Sequence, residues 1–260
     1  MYIDTHCHLN SEQLYNNYEE IIKECLNKNI RLLIIPSYTI ESAKQAIEIA
    51  EKYDFVYAAI GFHPTEIKEY KDNEYKWLDV NLNHPKVIAV GEIGLDYHWD
   101  TTTKEEQLAS FKKQIELAIK HNKPVIIHSR DAIQDTYDCL KNNKADLIGG
   151  IMHSYAGSVE MAKEFIKLNF LLSFGGPLTF LNAKMPKEVV NSIDVKYLLT
   201  ETDSPYLAPH PYRGTMNVPM NVILVAEKMA NLKNISVDEL NEQILENVNR
   251  LFKLEVKDEK

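Results

Sequence analysis

No apolar run in this sequence approaches the roughly 20 residues that a membrane-spanning helix needs. Nor does a basic stretch followed by an apolar one precede Tyr2, Ile3 and Asp4, so a cleaved secretory leader is not expected. Cysteine is scarce. Cys7, Cys25 and Cys139 are odd in number and have no CxxC spacing, and they read as free thiols in a reducing cytoplasm. Positive charge is short as well: 29 Lys and Arg face 38 Asp and Glu, a net charge of −9. A protein that grips duplex nucleic acid over many phosphates usually shows a basic balance, so extended duplex binding is not expected, although a short strand or a strand end is compatible with a local cationic or metal-bearing cleft. Low-complexity segments, solenoid-period repeats and Gly/Ser linkers are missing too. One domain over residues 1–260 is expected, with no membrane association and no obligate protein partner.

What is present is an alternation. Short runs rich in Ile, Val and Leu fall at 2–4, 31–36, 56–61, 87–90, 125–127, 150–152, 170–173 and 197–200, as parallel strands buried on both faces require. Between them lie helical spacings. Leu108, Phe111, Ile115 and Ile119 make one apolar stripe, as do Ile40, Ala43, Ile47 and Ala50, and Val159, Ala162 and Ile166. Eight strands with helices between them predict an α/β fold, a (β/α)8 TIM barrel. The doubly wound open sheet is the competitor, and no Gly-rich phosphate loop after the first strand supports it.

The polar residues cluster where the apolar runs end. Run one closes on Asp4-Thr5-His6-Cys7-His8; residues two apart on a strand share a face, so His6 and His8 point together and Cys7 points away. Later runs lead into Gly61-Phe62-His63-Pro64, Gly91-Glu92-Ile93-Gly94-Leu95-Asp96, His128-Ser129-Arg130, His153-Ser154-Tyr155 and Glu201-Thr202-Asp203-Ser204-Pro205. Five of the nine histidines thus sit at the C-terminal ends of predicted strands, the face where barrel enzymes hold their chemistry. Imidazole and carboxylate without thiolate suit Zn, Mn, Fe, Co or Mg. Six candidates (His6, His8, Glu92, His128, His153 and Asp203) exceed one tetrahedral ion and fit a pair of divalent ions about 3.5–4 Å apart, with Glu92 the natural bridge. Asp203 is placed to take a proton from water and His63 to meet substrate. Arg130 can fork onto a phosphate. His98 and His210 fall in rim loops, whereas His84 and His121 read as structural.

Together these segments resemble the TatD-type deoxyribonucleases of the metal-dependent hydrolase superfamily, in order and over nearly the whole chain. The resemblance implies a barrel with two divalent ions (Mg, Mn or Zn) that hydrolyses DNA phosphodiesters from a 3′ end. His6, His8, Glu92 and Asp203 would hold one ion; Glu92, His128 and His153 the other. Catalytic roles fall to Asp203, Glu92 and His63, and substrate contacts to His63, Arg130 and Arg213. Arg213-Gly214, Asn217 and Pro219 match the family's segment after the last strand, but Thr215 and Met216 stand where basic residues are common. Two other classes compete: a C–N or ester hydrolase such as an aminoacyl-tRNA deacylase, and a non-catalytic metal-binding module. Related amidohydrolases often bridge their metals with a carboxylated Lys after strand 4, and Glu92 at that place favours the nuclease branch.

Overall fold

Short β-branched runs become strands here because each is buried on both faces, and the intervening amphipathic stretches become helices because each has one face to bury. The computed structural model describes residues 1–68 and 70–257. Among these, the chain runs β1 (Tyr2–Asp4), α1 (Tyr18–Asn27), β2 (Ile30–Pro36), α2 (Ile40–Lys52), β3 (Val56–Ala59), α3 (Asp72–Asn81), β4 (Val87–Asp96) and α4 (Lys104–Lys120). It continues through β5 (Val125–Arg130), α5 (Ile133–Asn142), β6 (Gly150–Met152), α6 (Val159–Lys167), β7 (Phe170–Phe174), α7 (Met185–Ser192), β8 (Leu198–Thr200), α8 (Val222–Lys233) and α9 (Val237–Phe252). Hydrogen bonding orders the strands sequentially from β1 to β8 in one sheet.

The residues group into two compact units, Met1–Ile35 with Ser154–Ile166 and Leu171–Lys260, and Pro36–His153 with Lys167–Phe170. In the first, β1 pairs in parallel with β2 (Asp4 opposite Leu33) and β7 with β8 (Phe174 opposite Thr200). Ile3, Leu32, Leu172, Leu199, Met229 and Val248 are buried in it. Helix α9 opens with a capping box: Ser236 Oγ accepts from the Glu239 N–H at 3.2 Å, and the Glu239 carboxylate accepts from the Ser236 N–H at 2.8 Å. From the same helix Asn247 Nδ2 donates to the Val195 and Leu198 carbonyls at 3.0 and 2.9 Å, fixing the entry to β8.

In the second unit, β3, β4, β5 and β6 pair in parallel. Two strands run past their apolar segments. Pairing of β4 with β5 continues through Ile93–Ile127, Gly94–His128, Leu95–Ser129 and Asp96–Arg130, so Glu92 and His128 lie within strands and not beyond them. Between Val90 and Ile93 the register shifts, β4 taking three steps while β5 takes two from Val125 to Ile127. A bulge of this kind re-aims side chains, and Glu92 sits in it. Gly94 has φ +142°, and a Cβ there would collide with the His128 carbonyl oxygen, so only glycine lets β4 lie this close to β5. Strand β3 stops at Ala59, short of Gly61, and β8 starts at Leu198 because a single 3-10 turn takes Tyr197.

The helices form where the spacing predicts, but their buried stripes are rotated. On α4 the buried residues are Gln107, Ser110, Phe111, Gln114, Ile115 and Ala118, whereas Leu108 and Ile119 are half-buried. On α2 and α6 the same happens: Ala46 and Ile49, and Phe165, are buried while Ile47 and Ile166 are half-buried.

Candidate metal centres

In the first unit, alternation along the segment after β1 brings the imidazoles of His6 and His8 together, Nε2 to Nε2 at 3.1 Å, with ring planes 77° apart. Cys7 points the other way, its Sγ 3.7 Å from the Ile34 carbonyl oxygen. An Asp203 carboxylate oxygen lies 3.7 Å from His6 Nε2 and 3.5 Å from His8 Nε2. All three residues are buried. The arrangement is held by backbone pairing between distant segments. Asp203 N–H donates to the His6 carbonyl at 2.9 Å, and His8 N–H to the Ser204 carbonyl at 2.7 Å.

A second carboxylate secures the same turn from below. Asp4 accepts from Thr202 Oγ1 at 2.6 Å, from Thr202 N–H at 2.9 Å and from His6 N–H at 3.2 Å. Burial nevertheless outweighs these hydrogen bonds and pushes the Asp4 carboxyl well above the usual carboxylate range. Asn217 Nδ2 adds donors to the carbonyls of Thr202 (2.9 Å) and Tyr206 (2.7 Å). Glu201, also fully buried, accepts the Ser154 N–H at 2.8 Å. Asp203 itself has φ +57°, a left-handed conformation that Asp tolerates better than most residues.

In the second unit Glu92 is the hub. Its Oε1 lies 3.0 Å from His128 Nδ1, 3.7 Å from His153 Nε2 and 3.9 Å from His63 Nε2. The bulged backbone of Glu92 is held by its own N–H donating to the Ser37 carbonyl at 2.8 Å, while Ser37 Oγ exchanges hydrogen bonds with the backbone of Gly61 at 2.9 Å each. His63 Nδ1 pairs with Thr65 Oγ1 at 2.7 Å, which turns Nε2 toward Glu92. His63, the residue expected to meet substrate, packs edge-on to His128 with ring centroids 4.4 Å apart.

Behind His128 stands Asp96, its Oδ2 2.8 Å from Nε2. Burial disfavours charge on the His128 imidazole, but the hydrogen bonds to Asp96 and Glu92 prevail and raise its pKa to about 9. Burial likewise opposes the Asp96 carboxylate, yet the His128 hydrogen bond wins and its pKa is lowered. This carboxylate–imidazole pair leaves Nδ1 as the nitrogen directed at Glu92, the usual way a ligating histidine is oriented from behind. Two buried glutamines of α4 hold the backbone in place. Gln107 accepts the Asp96 N–H and donates to the Asp96 carbonyl, both at 2.8 Å. Two turns on, Gln114 does the same for Phe62 at 2.8 and 3.1 Å. Neither glutamine was anticipated from sequence, nor were Asp4, Glu201 and Asp96 in these roles.

Among the described residues of each unit, one group offers three ligand atoms within 4.8 Å of one another: His6 with His8 and Asp203 in the first, and His63 with Glu92 and His128 in the second. Imidazole nitrogens and carboxylate oxygens converging on one point, without thiolate, make donor sets that fit hard or borderline divalent ions. Of the two arginines expected to meet phosphate, Arg130 places its guanidinium 5.7 Å from the Trp99 ring centroid, and Arg213 places its own 4.5 Å from that of Phe180. His84 pairs with Glu51 at 3.1 Å and His121 with Asp79 at 2.6 Å, structural roles as expected.

The family model described as "TatD related DNase" matches residues 3–253. Over 254 residues the chain is 45% identical to the uncharacterized metal-dependent hydrolase YabD of Bacillus subtilis, covering 98% of this chain and 100% of that one. It is 34% identical to the uncharacterized metal-dependent hydrolase YcfH of Escherichia coli K12, with 97% and 96% covered. The crystal structure of YJJV, a TatD homologue from Escherichia coli K12, superposes with a TM-score of 0.92 at 29% identity, covering 97% of this chain and 98% of that one. With the sequential strand order, this likeness makes the fold the (β/α)8 barrel that the sequence predicts.

Proposed function

This chain belongs to the TatD-related DNase family, and from that premise we propose that it is a metal-dependent hydrolase that cleaves DNA phosphodiester bonds, releasing mononucleotides from the 3′ end of a single strand. The observation that carries the proposal is the pair of imidazole–carboxylate groups, one in each unit, each held by backbone pairing and by a carboxylate behind it. His6, His8 and Asp203 are assigned to one divalent ion, and Glu92, His128 and His153 to another, with Mg, Mn or Zn suited to the donor set. Ions so held supply Lewis acidity toward a phosphate oxygen and lower the pKa of water toward neutrality.

The chain's own residues do the rest. Asp203 accepts the proton of the attacking water, as the water oxygen forms its bond to phosphorus and the P–O bond to the leaving strand breaks. His63, steadied by Thr65 at 2.7 Å, presents Nε2 to the scissile phosphate or the departing oxygen. Arg130, on the exposed end of β5, and Arg213 meet flanking phosphates. A net charge of −9 suits a short strand end better than a long duplex, because few phosphates are neutralised.

A 3′-labelled oligonucleotide distinguishes the modes of attack. Labelled mononucleotide should be the first product. Internal nicking of closed circular DNA without end trimming would contradict the proposal.

A further inference from the structure

The loop that leaves β4 carries a tryptophan at the surface. Trp99 is 53% exposed, yet its backbone is fixed: Asp96 Oδ1 accepts the N–H of His98 at 2.9 Å and of Trp99 at 3.3 Å. Through its other oxygen the same Asp96 holds His128. The backbone of Trp99 is therefore tied, by one carboxylate, to a residue of the Glu92 group. His98 packs edge-on to the indole at 4.7 Å and 88°, and the Arg130 guanidinium lies 5.7 Å from its centroid. Beside it opens a cavity of about 470 Å³ lined by Lys68, Asp96, Tyr97, Trp99, Lys104 and Gln107, a volume within the range of small-molecule sites. The Lys104 ammonium lies 4.0 Å from the centre of the Tyr97 ring. Of the cavity's other carboxylates, Glu106 is committed to the Thr103 N–H at 2.7 Å, and Asp100 is on the exposed loop.

We propose that Trp99 is the stacking face of a nucleobase subsite in this cavity, with Lys68, Lys104 and Arg130 meeting the phosphates on either side of the stacked base. The subsite rests on the nuclease activity proposed above and adds to it where a base of the substrate lies. A half-exposed indole on an anchored backbone, with a guanidinium beside it and lysines in the adjoining cavity, is the combination that holds single strands irrespective of sequence, because every base offers a π face. An apolar protein partner would not call for Arg130 beside the ring and two lysines lining the cavity. A free phosphate would not call for the ring.

The chain has two tryptophans, so Trp77→Phe leaves Trp99 as the sole indole reporter. In that background 5′-dAMP should quench the fluorescence, whereas inorganic phosphate and deoxyribose 5-phosphate should not. In the otherwise unaltered chain, Trp99→Ala should raise KM for single-stranded DNA about tenfold, with a smaller change in kcat, and Trp99→Phe should recover most of the loss. Unchanged KM in Trp99→Ala while the chain cleaves DNA would overturn the subsite and leave the nuclease proposal standing. Quenching by 5′-dAMP in a chain that cleaves no DNA would support the subsite and overturn the nuclease proposal. Absence of quenching by 5′-dAMP overturns the subsite, and if Trp77→Phe does not fold, the KM comparison of the two Trp99 variants decides.

Discussion

Replacing Asp96 by Asn tests how the Glu92 group is built. Asp96 uses one oxygen for the N–H groups of His98 and Trp99 and the other for His128 Nε2. Asn has a single oxygen, and the two backbone donors claim it, since turning the amide would set N–H against N–H. The side-chain NH2 then faces His128 Nε2, which must accept. A neutral imidazole that accepts at Nε2 carries its proton on Nδ1, the nitrogen that points at Glu92 from 3.0 Å. The ligating lone pair is thereby blocked, the wrong-tautomer effect known from catalytic triads. Loss of such a supporting carboxylate typically weakens metal affinity 10–100-fold, or about 1.4–2.7 kcal/mol. Calorimetric titration of chelator-stripped protein with Zn²⁺ or Mn²⁺ measures it, with circular dichroism confirming the fold. Two binding events are expected in the parent chain. In Asp96→Asn the one assigned to Glu92, His128 and His153 should weaken by that factor, and the one assigned to His6, His8 and Asp203 should hold. Parent affinity for both ions would refute the orientation of His128 by Asp96.

Three further outcomes follow from the same geometry. Asp203→Asn keeps an oxygen donor but is a poor proton acceptor, so turnover on single-stranded DNA should fall about 10²–10⁴-fold while the ion assigned to Glu92, His128 and His153 is retained; near-normal kcat would move the base elsewhere, with His63 next to test. Glu92→Gln removes the charge at the centre of three imidazoles, so elemental analysis should find less bound metal than in the parent and assays no activity; full stoichiometry with normal turnover would contradict its assignment. Gln114→Leu strands the buried N–H and carbonyl of Phe62 and should reduce unfolding free energy in urea by about 2–4 kcal/mol; a change under about 0.5 kcal/mol would show that the backbone finds other partners.

Much of this was legible in the chain because barrel strands and ligand residues leave local marks. The runs of Ile and Val located all eight strands, and the i, i+2 spacing of His6 and His8 foretold their meeting and the opposite heading of Cys7. Other features are set by partners far along the sequence. The length of β4 depends on pairing with β5 through Asp96 and Arg130, which glycines at 91 and 94 disguise as a loop. Gln107 and Gln114 read as solvent-facing polar residues on a helix; they are buried because the backbone of Asp96 and of Phe62, 52 residues from Gln114, needs their amides. The rotation of the α4 stripe away from Leu108 and Ile119 has the same origin, since those amides occupy positions the apolar spacing alone would leave outside. Asp4 resembles the start of a metal motif, yet it serves Thr202 at a separation of 198 residues.

The most direct test of the central claim is activity on a 3′-labelled single strand, followed as metal is removed and returned. Protein dialysed against chelator should release no mononucleotide, and Mg²⁺, Mn²⁺ or Zn²⁺ should restore release in step with metal bound, as measured by elemental analysis on the same samples. Full mononucleotide release by protein shown to be metal-free would contradict it.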